Sequence, residues 1–348
     1  MRGQHVAVFI LHKRWGGGTT SFVAHLVEAF KAANAKPILY TVHTEPRGER
    51  TPAMMCRPFG EYGMDVISVT KSLALQITRS MPAIITSPIG PANLPPNFLR
   101  DIRRAGAWGV IHDATQFPLW SKLVNAPSLA KLDRMICIRP AMQSYVPKAV
   151  FIRHPYVRSC QNTSYSSWED RRVLASSIAR VHNQKRTHLI LQANRLLRKS
   201  ERIEVLGAEY RLYSYGLAKR FPDVFKQAGG ELQWALRIDC APKMLEDSCF
   251  NVDMSRFLRD GGGTQYSQLE AMDAGCINIM HNDWFDVPGT LTCGKHVWTA
   301  STPEEIVRIL KNGYRTDAAA RIREDCYEML KKHDPKRIGK QYLSTLGA

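Results

Sequence analysis

The amino-acid sequence predicts an α/β protein of two domains, each built around a parallel β-sheet. Short apolar runs rich in β-branched residues, such as HVAVFIL at residues 5–11, alternate along the chain with stretches of helical spacing. Two of these runs lead into glycine triplets, at residues 16–18 and 261–263, and a helical pattern follows each triplet. The length of 348 residues is sufficient for two domains of ordinary size.

The first strand, glycine triplet and helix form one βα unit. Thr19 or Thr20 can cap the helix, and Phe22 and Phe30 belong to its predicted buried face. A glycine turn at the carboxyl end of a strand is where open α/β sheets bind ligands. The turn has neither the GxGxxG pattern nor the GxxxxGKS/T pattern. The sequence therefore disfavours both a dinucleotide site and a P-loop.

Arginine is concentrated in two segments of the first half. Residues 44–63, rich in Arg, Pro and Gly, predict a long loop, and NFLRDIRRAG at residues 97–106 predicts a helix. We expect both segments to contact nucleic-acid phosphates, whereas the alternative is a surface loop and helix without such a role. The arginines concerned are Arg47, Arg50, Arg57, Arg100, Arg103 and Arg104.

The segment WGVIHDATQFPLW at residues 108–120 contains a candidate general base. A predicted strand ends just before Asp113, which places this carboxylate at the carboxyl edge of the sheet. A carboxylate in that position can accept a proton from an acceptor hydroxyl. The alternative is an Asx turn or a helix cap. We expect His112 to be a structural or sugar-contacting neighbour and not a second base.

The polar stretch SCQNTSYSSWEDRR is typical of an interdomain linker, and a second α/β segment begins after it. A predicted strand ends at residues 178–179, Arg180 and Lys185 flank a short polar turn, and a helix follows. Two cations beside a helix N-terminus can neutralise a pyrophosphate, and arginine can do so with two hydrogen bonds. As an ordinary surface pair they would have no such role.

The stretch SRFLRDGGGTQYSQLEAMDAGCINIM at residues 255–280 combines a strand end, a glycine turn, a helix and a second strand. Gly275 follows the helical pattern where a C-cap is expected. The free N–H groups at the start of the helix make an anion site. Glu270 is too far along the helix to cap it, but a carboxylate near a phosphate-binding turn suits the two hydroxyls of ribose. The alternative is an exposed helical glutamate.

This stretch resembles the donor-site signature of the GT-B glycosyltransferases, which transfer a sugar from a nucleotide. Residues 270–275, Glu-Ala-Met-Asp-Ala-Gly, match the second half of the EX7E signature of the retaining members. The first Glu of that signature falls on Gly262 and is missing here. The spacing of Arg180 and Lys185 before a helix is also similar to the family. Asp113, followed by a Pro-Leu pair, resembles the general base of the bacteriophage DNA glucosyltransferases.

The resemblance implies a GT-B fold, with two Rossmann-like domains facing each other across a cleft. Residues 1–160 would form the acceptor domain and residues 170–330 the nucleotide-sugar domain, with residues 331–348 packing back on the first domain as a helix. A UDP-sugar is the expected co-substrate and no tightly bound cofactor is expected. A divalent metal is not indicated by the sequence, and the need for one stays open. The residues implied to bind the donor are Gly17, Gly18, Thr19, Arg180, Lys185, Ile238, Gly263, Thr264, Gln265 and Glu270.

The net charge of +17 is concentrated in the first half of the chain. Residues 1–160 contain 20 Lys and Arg residues against 8 Asp and Glu, whereas the remainder contains 28 against 23. Such a positive field favours a polyanionic partner, although the alternative is a basic surface that only maintains solubility. Because the first domain binds the acceptor in GT-B enzymes, we expect duplex DNA with a hydroxymethylpyrimidine base to be the acceptor.

Two other functions stay open on the sequence. An envelope-glycan glycosyltransferase, for example one acting on lipopolysaccharide, would use the positive charge to bind a membrane and should expose an amphipathic helix. A nucleic-acid-binding protein on a degenerate Rossmann scaffold would explain the missing Glu, but not the presence of Arg180, Lys185 and Glu270. Scattered cysteines, and the lack of a signal peptide or an 18-residue apolar run, predict a cytoplasmic protein, and we expect a monomer.

Overall fold

The chain folds into two compact units. The first comprises Met1–Val157, Leu258–Gly263 and His333–Ala348, and the second comprises Arg158–Phe257 and Thr264–Lys332. The computed structural model describes residues 3–11, 18–42, 50–55, 62–86, 94–113, 116, 120, 132–158, 168–207, 211–225, 240–256, 263–287 and 289–347.

Within those residues, the first unit contains one sheet with the strand order β3-β4-β2-β1-β5-β6-β7-β8. The strands are β1 (His5–Phe9), β2 (Lys36–Val42), β3 (Arg50–Met55), β4 (Tyr62–Val69), β5 (Ala83–Ile85), β6 (Trp108–Ile111), β7 (Met135–Cys137) and β8 (Val150–Phe151). Strands β3 and β4 are antiparallel, and the other neighbouring pairs are parallel. Parallel strands are buried on both faces, which explains the continuous apolar run at β1.

The prediction of one long loop over residues 44–63 is wrong. Strand β3 occupies part of this segment and pairs with β4, with Arg50 opposite Ile67 and Met55 opposite Tyr62. The apolar residues Ala-Met-Met fit a strand, and Pro52 is tolerated because β3 lies at the edge of the sheet. Proline and arginine in this segment are therefore compatible with an edge strand and do not require a loop.

The second unit has a smaller sheet, with the order β10-β9-β11-β12-β13 in the described residues. Its strands are β9 (Val173–Ile178), β10 (Glu204–Leu206), β11 (Ser248–Asp253), β12 (Ile277–His281) and β13 (Val297–Ala300). Each neighbouring pair is parallel, and every residue of the central strand β11 is buried. The predicted α/β class is confirmed by the two sheets and their flanking helices.

The described helices are α1 (Gly18–Ala32), α2 (Lys71–Ser80), α3 (Phe98–Arg104), α4 (Thr187–Leu196), α5 (Arg211–Arg220), α6 (Pro222–Phe225), α7 (Cys240–Glu246), α8 (Tyr266–Asp273), α9 (Pro303–Asn312), α10 (Asp317–Lys331) and α11 (Pro335–Leu346). Among them, none is long and apolar enough to cross a membrane.

The C-terminal helix α11 packs against α1 within the first unit. Gly339 allows this close approach, because a Cβ atom there would collide with the carbonyl oxygen of Ala29. The buried ring of Tyr342 packs against the rings of Phe22 and Phe30, with centroids 6.4 and 6.2 Å away. The last helix therefore contributes buried side chains to the packing around α1.

Candidate functional site

The turn between β9 and α4, in the second unit, concentrates positive charge at a helix N-terminus. Arg180 is exposed after the strand, and the 3₁₀ turn Asn183–Lys185 leads into α4. The pKa of His182 is lowered by partial burial and by the charges of Arg180 and Lys185. Both cations therefore lie close to the same imidazole. Together with the dipole of α4 they favour an anion at this turn.

Lys185 connects this turn to the start of α8. Its ammonium donates hydrogen bonds to the hydroxyl oxygen of Ser255 at 2.6 Å and to the side-chain oxygen of Gln265 at 2.8 Å. Gln265 is the N-cap residue of α8, and Thr264 just before it is buried. The structure thus brings three of the predicted donor residues together at two helix N-termini.

The ammonium of Lys185 also faces a buried carboxylate. Asp253, at the carboxyl end of β11, has an oxygen 4.0 Å from the Lys185 nitrogen. Burial raises the pKa of Asp253, but the charge of Lys185 and the hydrogen bonds from Ser255 and Gln268 outweigh it and hold the pKa below its usual value. The carboxylate is therefore ionised at neutral pH, and sequence analysis did not identify it. The signal available was a lone acidic residue at the end of a fully buried strand.

The other predicted donor residues make none of these hydrogen bonds with Lys185 and stay predictions. Glu270 begins the second turn of α8 and is half-buried, so its role in binding ribose stays a prediction. Gly18 and Thr19 open α1 in the first unit, and Gly17 and Ile238 lie outside the described residues.

Gly263 has a contact that the sequence did not indicate. A Cβ atom at this position would lie 2.5 Å from the Cγ atom of Arg139, which belongs to the same unit. Real Cβ atoms do not approach carbon so closely, so the glycine makes room for the arginine stem. Arg139 follows β7 at the carboxyl edge of the first sheet, and its charge helps to lower the pKa of His112.

Asp113 lies at the same edge of the first sheet, two residues beyond the end of β6. Its backbone oxygen accepts a hydrogen bond from the Gln116 amide at 3.2 Å, which closes a turn. The side-chain oxygen of Gln116 accepts from the His112 amide at 2.9 Å. The half-buried carboxylate is thus held by a compact turn, a geometry that suits both a general base and a turn residue.

His112 is a buried structural residue. Its Nε2 atom lies 2.5 Å from the carbonyl oxygen of Thr86, and because a carbonyl only accepts, Nε2 carries the proton. Burial lowers the pKa of His112 to about 4, and the charge of Arg139 contributes. The edge of its ring packs on Phe22, with centroids 4.7 Å apart. A neutral imidazole with these contacts orients the strand end beside Asp113.

Among the predicted nucleic-acid contacts, Arg103 must be corrected. Its guanidinium is buried and donates hydrogen bonds to the carbonyl oxygens of Ala107 at 2.8 Å, Arg134 at 2.6 Å and Asp133. The spacing of the arginines along α3 does not show which of them faces the interior, because the partners of the interior arginine are backbone carbonyl groups. Arg103 therefore anchors α3 and cannot contact a phosphate.

The other five arginines stay predictions. Arg104 is exposed, and Arg100 is half-buried and lies 3.3 Å from a carboxylate oxygen of Asp101. Arg50 opens β3, and Arg47 and Arg57 lie outside the described residues. As for metals, no group of three or more His, Cys, Asp or Glu side chains that could hold an ion occurs in the described part of the chain.

Replacing Arg103 tests its structural role. We expect Arg103→Ala to lower the free energy of unfolding by about 2–3 kcal/mol, because it leaves buried carbonyl groups without donors. Urea unfolding at neutral pH measures this loss. Arg104→Ala, which removes the same charge from an exposed neighbour, should change stability by less than about 0.5 kcal/mol. Equal effects of the two variants would contradict the assignment.

Solved structures with a similar fold include an α-glucosyltransferase and an Anabaena protein. An α-glucosyltransferase in complex with UDP matches with a TM-score of 0.69 at 13% identity, covering 99% of this chain and 100% of that chain. The α-glucosyltransferase with UDP and a 13-mer DNA containing an HMU base matches with a TM-score of 0.69 at 14% identity, covering 100% of both chains. The chain has the GT-B fold.

A third match extends this result. The Anabaena Alr3699/HepE protein in complex with UDP and glucose has a TM-score of 0.65 at 12% identity, covering 98% of this chain and 99% of that chain. No protein-family model matches the chain, and neither does any curated protein sequence. At these identities the comparison establishes the fold, and the predicted GT-B fold is confirmed.

Proposed function

We propose that the chain is a glycosyltransferase that takes a sugar from a nucleoside diphosphate sugar, most simply a UDP-sugar. The observation that carries the proposal is the arrangement of Arg180, Lys185 and Gln265 at the N-termini of α4 and α8. Two cations and two helix dipoles provide the charge that a diphosphate requires. The solved structures with this fold that contain UDP support the same ligand.

Each remaining site residue has a definite task in this proposal. Thr264 and Gln265 present the start of α8 to the diphosphate, and Glu270 accepts hydrogen bonds from the ribose hydroxyls. Asp113 removes the proton from the acceptor hydroxyl as the bond to the sugar carbon forms, and the diphosphate leaves with the electron pair. His112 keeps the strand end in place and takes no part in proton transfer.

The acceptor we propose is a hydroxymethylated base in duplex DNA. The α-glucosyltransferase with a DNA containing an HMU base supports this choice, as does the excess of positive charge in residues 1–160. We expect such an enzyme to turn the target base out of the stack, so that the hydroxyl can approach both the carboxylate and the sugar carbon. The protein would then be a DNA-modifying enzyme of the bacteriophage type.

A second candidate is favoured by an exposed face of α5. Leu212 and Tyr215 are 79% and 68% exposed, and Lys219 lies over the Tyr215 ring at 5.7 Å. Apolar side chains flanked by cations are typical of helices that lie on anionic membranes. This face supports transfer to an envelope glycan at a membrane surface. This exposed face is confined to one short helix, so we keep DNA as the proposed acceptor.

The donor site can be tested with free UDP. We expect Arg180→Ala and Lys185→Met each to weaken UDP binding by about 1.5–3 kcal/mol, since each removes a charge-assisted hydrogen bond to phosphate. Isothermal titration calorimetry gives the dissociation constants. Lys311→Met removes an exposed lysine of the same unit and serves as the control. Unchanged UDP affinity in both site variants would remove the donor from this turn.

The two acceptors predict different salt dependence and different binding partners. Duplex DNA affinity should fall with salt with a log–log slope of about −0.9 per phosphate neutralised. Arg104→Glu should flatten that slope if α3 faces the DNA, whereas UDP affinity should not change. Binding to vesicles of anionic phospholipid without binding to DNA at physiological salt would favour the envelope glycan.

A further inference from the structure

The donor site of the second unit is built on a closed ring of hydrogen bonds. Lys185 donates to Ser255 at 2.6 Å and to Gln265 at 2.8 Å. The backbone N–H of Gln265 donates to the side-chain oxygen of Gln268 at 3.0 Å. The side-chain NH₂ group of Gln268 donates to Asp253 at 2.9 Å. The Ser255 hydroxyl donates to the other oxygen of Asp253 and closes the ring. The ring joins β11, the turn before α4 and the first turn of α8.

Asp253 is the residue on which this ring depends. It accepts three hydrogen bonds, from the amide and hydroxyl of Ser255 on one oxygen and from Gln268 on the other. Its side chain is 4% exposed, and it continues the central strand, where its register partner is Met280. Only a carboxylate can accept on both oxygens at once, since an amide would present its NH₂ group to one of the donors.

The charge of Asp253 has a second consequence. Without Asp253, the Lys185 ammonium would have no opposite charge at the end of β11. The carboxylate, 4.0 Å from the ammonium nitrogen, stabilises the charged form and fixes its direction. A lysine side chain has several rotatable bonds, and ordering it costs conformational entropy when a ligand binds. A lysine already held by the ring avoids that cost.

We propose that Asp253 is a positioning residue of the donor site, which holds the Lys185 ammonium and the N-terminus of α8 in the geometry that receives a diphosphate. The proposal rests on the proposed function, because the diphosphate is the ligand assigned there. Asp253 does not touch the donor. Its effect on donor affinity is transmitted by Ser255 to Lys185, and by Gln268 to the cap of α8.

A double-mutant cycle tests this role with UDP as the probe, measured by isothermal titration calorimetry. In the wild-type background, Asp253→Asn should weaken UDP binding by about tenfold. In the Lys185→Met background it should weaken binding by less than about twofold, because the effects of mutations within one hydrogen-bond network are not additive. Ser255→Ala should reproduce most of the loss while leaving the carboxylate in place. Asp273→Asn, which removes a fully buried carboxylate paired with Arg158 at the other end of α8, is the matched control and should leave UDP affinity within about twofold.

The outcomes separate this proposal from the proposed function. If Asp253→Asn weakens UDP binding equally with and without Lys185, Asp253 stabilises the fold only and the proposal is overturned. If Asp253→Asn does not fold, as judged by thermal unfolding, the same comparison with Ser255→Ala decides. If the wild-type protein binds UDP but Asp253→Asn and Ser255→Ala do not alter affinity, the donor site stands and the positioning role is wrong. A wild-type protein that binds no nucleoside diphosphate overturns both.

Discussion

Asp113→Asn is expected to abolish sugar transfer while leaving the donor bound. Removing a general base typically lowers a rate by about 10² to 10⁴, and asparagine cannot accept the proton of the acceptor hydroxyl. Asp113 belongs to the first unit, whereas the hydrogen-bonded donor-site residues Lys185 and Gln265 belong to the second. Turnover at saturating donor and acceptor, together with UDP affinity, measures the two effects separately.

Asp65→Asn is the matched control for this experiment. Asp65 is an exposed carboxylate on β4 of the same unit, so its replacement changes the charge of that unit by the same amount. It should leave turnover unchanged. Near wild-type turnover in Asp113→Asn would mean that Asp113 only begins the turn closed by the Gln116 amide.

Loss of stability in mild acid is the second large effect we expect. Burial lowers the pKa of His25 to about 3 and of His112 to about 4, and burial together with the charge of Arg139 lowers the pKa of His154 well below its usual value. Protonation of a neighbouring His333, His112 or His25 would lower the pKa of His154 further. The first unit therefore contains a cluster of buried histidines that stay neutral in the folded chain.

The loss of stability at low pH follows from the difference in proton binding between the unfolded and the folded chain. In the unfolded chain these imidazoles bind protons as the pH falls below about 6.5, whereas in the folded chain they do not. Their contribution to stability is therefore fully present above that pH and is lost as the pH falls. Each histidine contributes a slope of up to about 1.4 kcal/mol per pH unit, so the three together give about 4 kcal/mol per pH unit.

Urea unfolding between pH 7 and pH 5 checks this expectation. His25→Asn should reduce the slope by the share of one histidine, because asparagine does not titrate. Its side-chain oxygen can still accept the hydrogen bond that the Val157 amide donates to His25 Nδ1 at 2.9 Å. A free energy of unfolding that is constant over this range would show that the cluster is protonated or solvated in the folded chain.

Local patterns in the sequence were sufficient for the elements that form the site. The strand, turn and cations around Arg180 and Lys185 were predicted because helix starts and strand ends are determined by neighbouring residues. Gly275 was predicted as a C-cap and has a φ of +76°, in the left-handed region that favours glycine. Such features depend on a few adjacent residues, so they can be identified without the fold.

Contacts between distant segments could not be predicted in the same way. Arg103 has the same local sequence signal as Arg104, and its hydrogen bonds to the carbonyl groups of residues 107, 133 and 134 distinguish it. Asp253 appeared to be part of an apolar strand, because its partners Lys185 and Gln268 come from other segments. The edge strand β3 was mistaken for a loop since its pairing with β4 is not visible in its own composition.

Mass spectrometry of nucleosides tests the central claim most directly. Duplex DNA that contains hydroxymethylated bases is incubated with the protein and a panel of nucleotide sugars, then digested to nucleosides. We expect that one donor, most simply a UDP-sugar, yields a glycosylated hydroxymethyl nucleoside, and that Asp113→Asn yields it at least about 100-fold more slowly. If the wild-type protein binds UDP, yet no donor in the panel yields a sugar adduct on any base, the assignment of DNA as the acceptor is wrong.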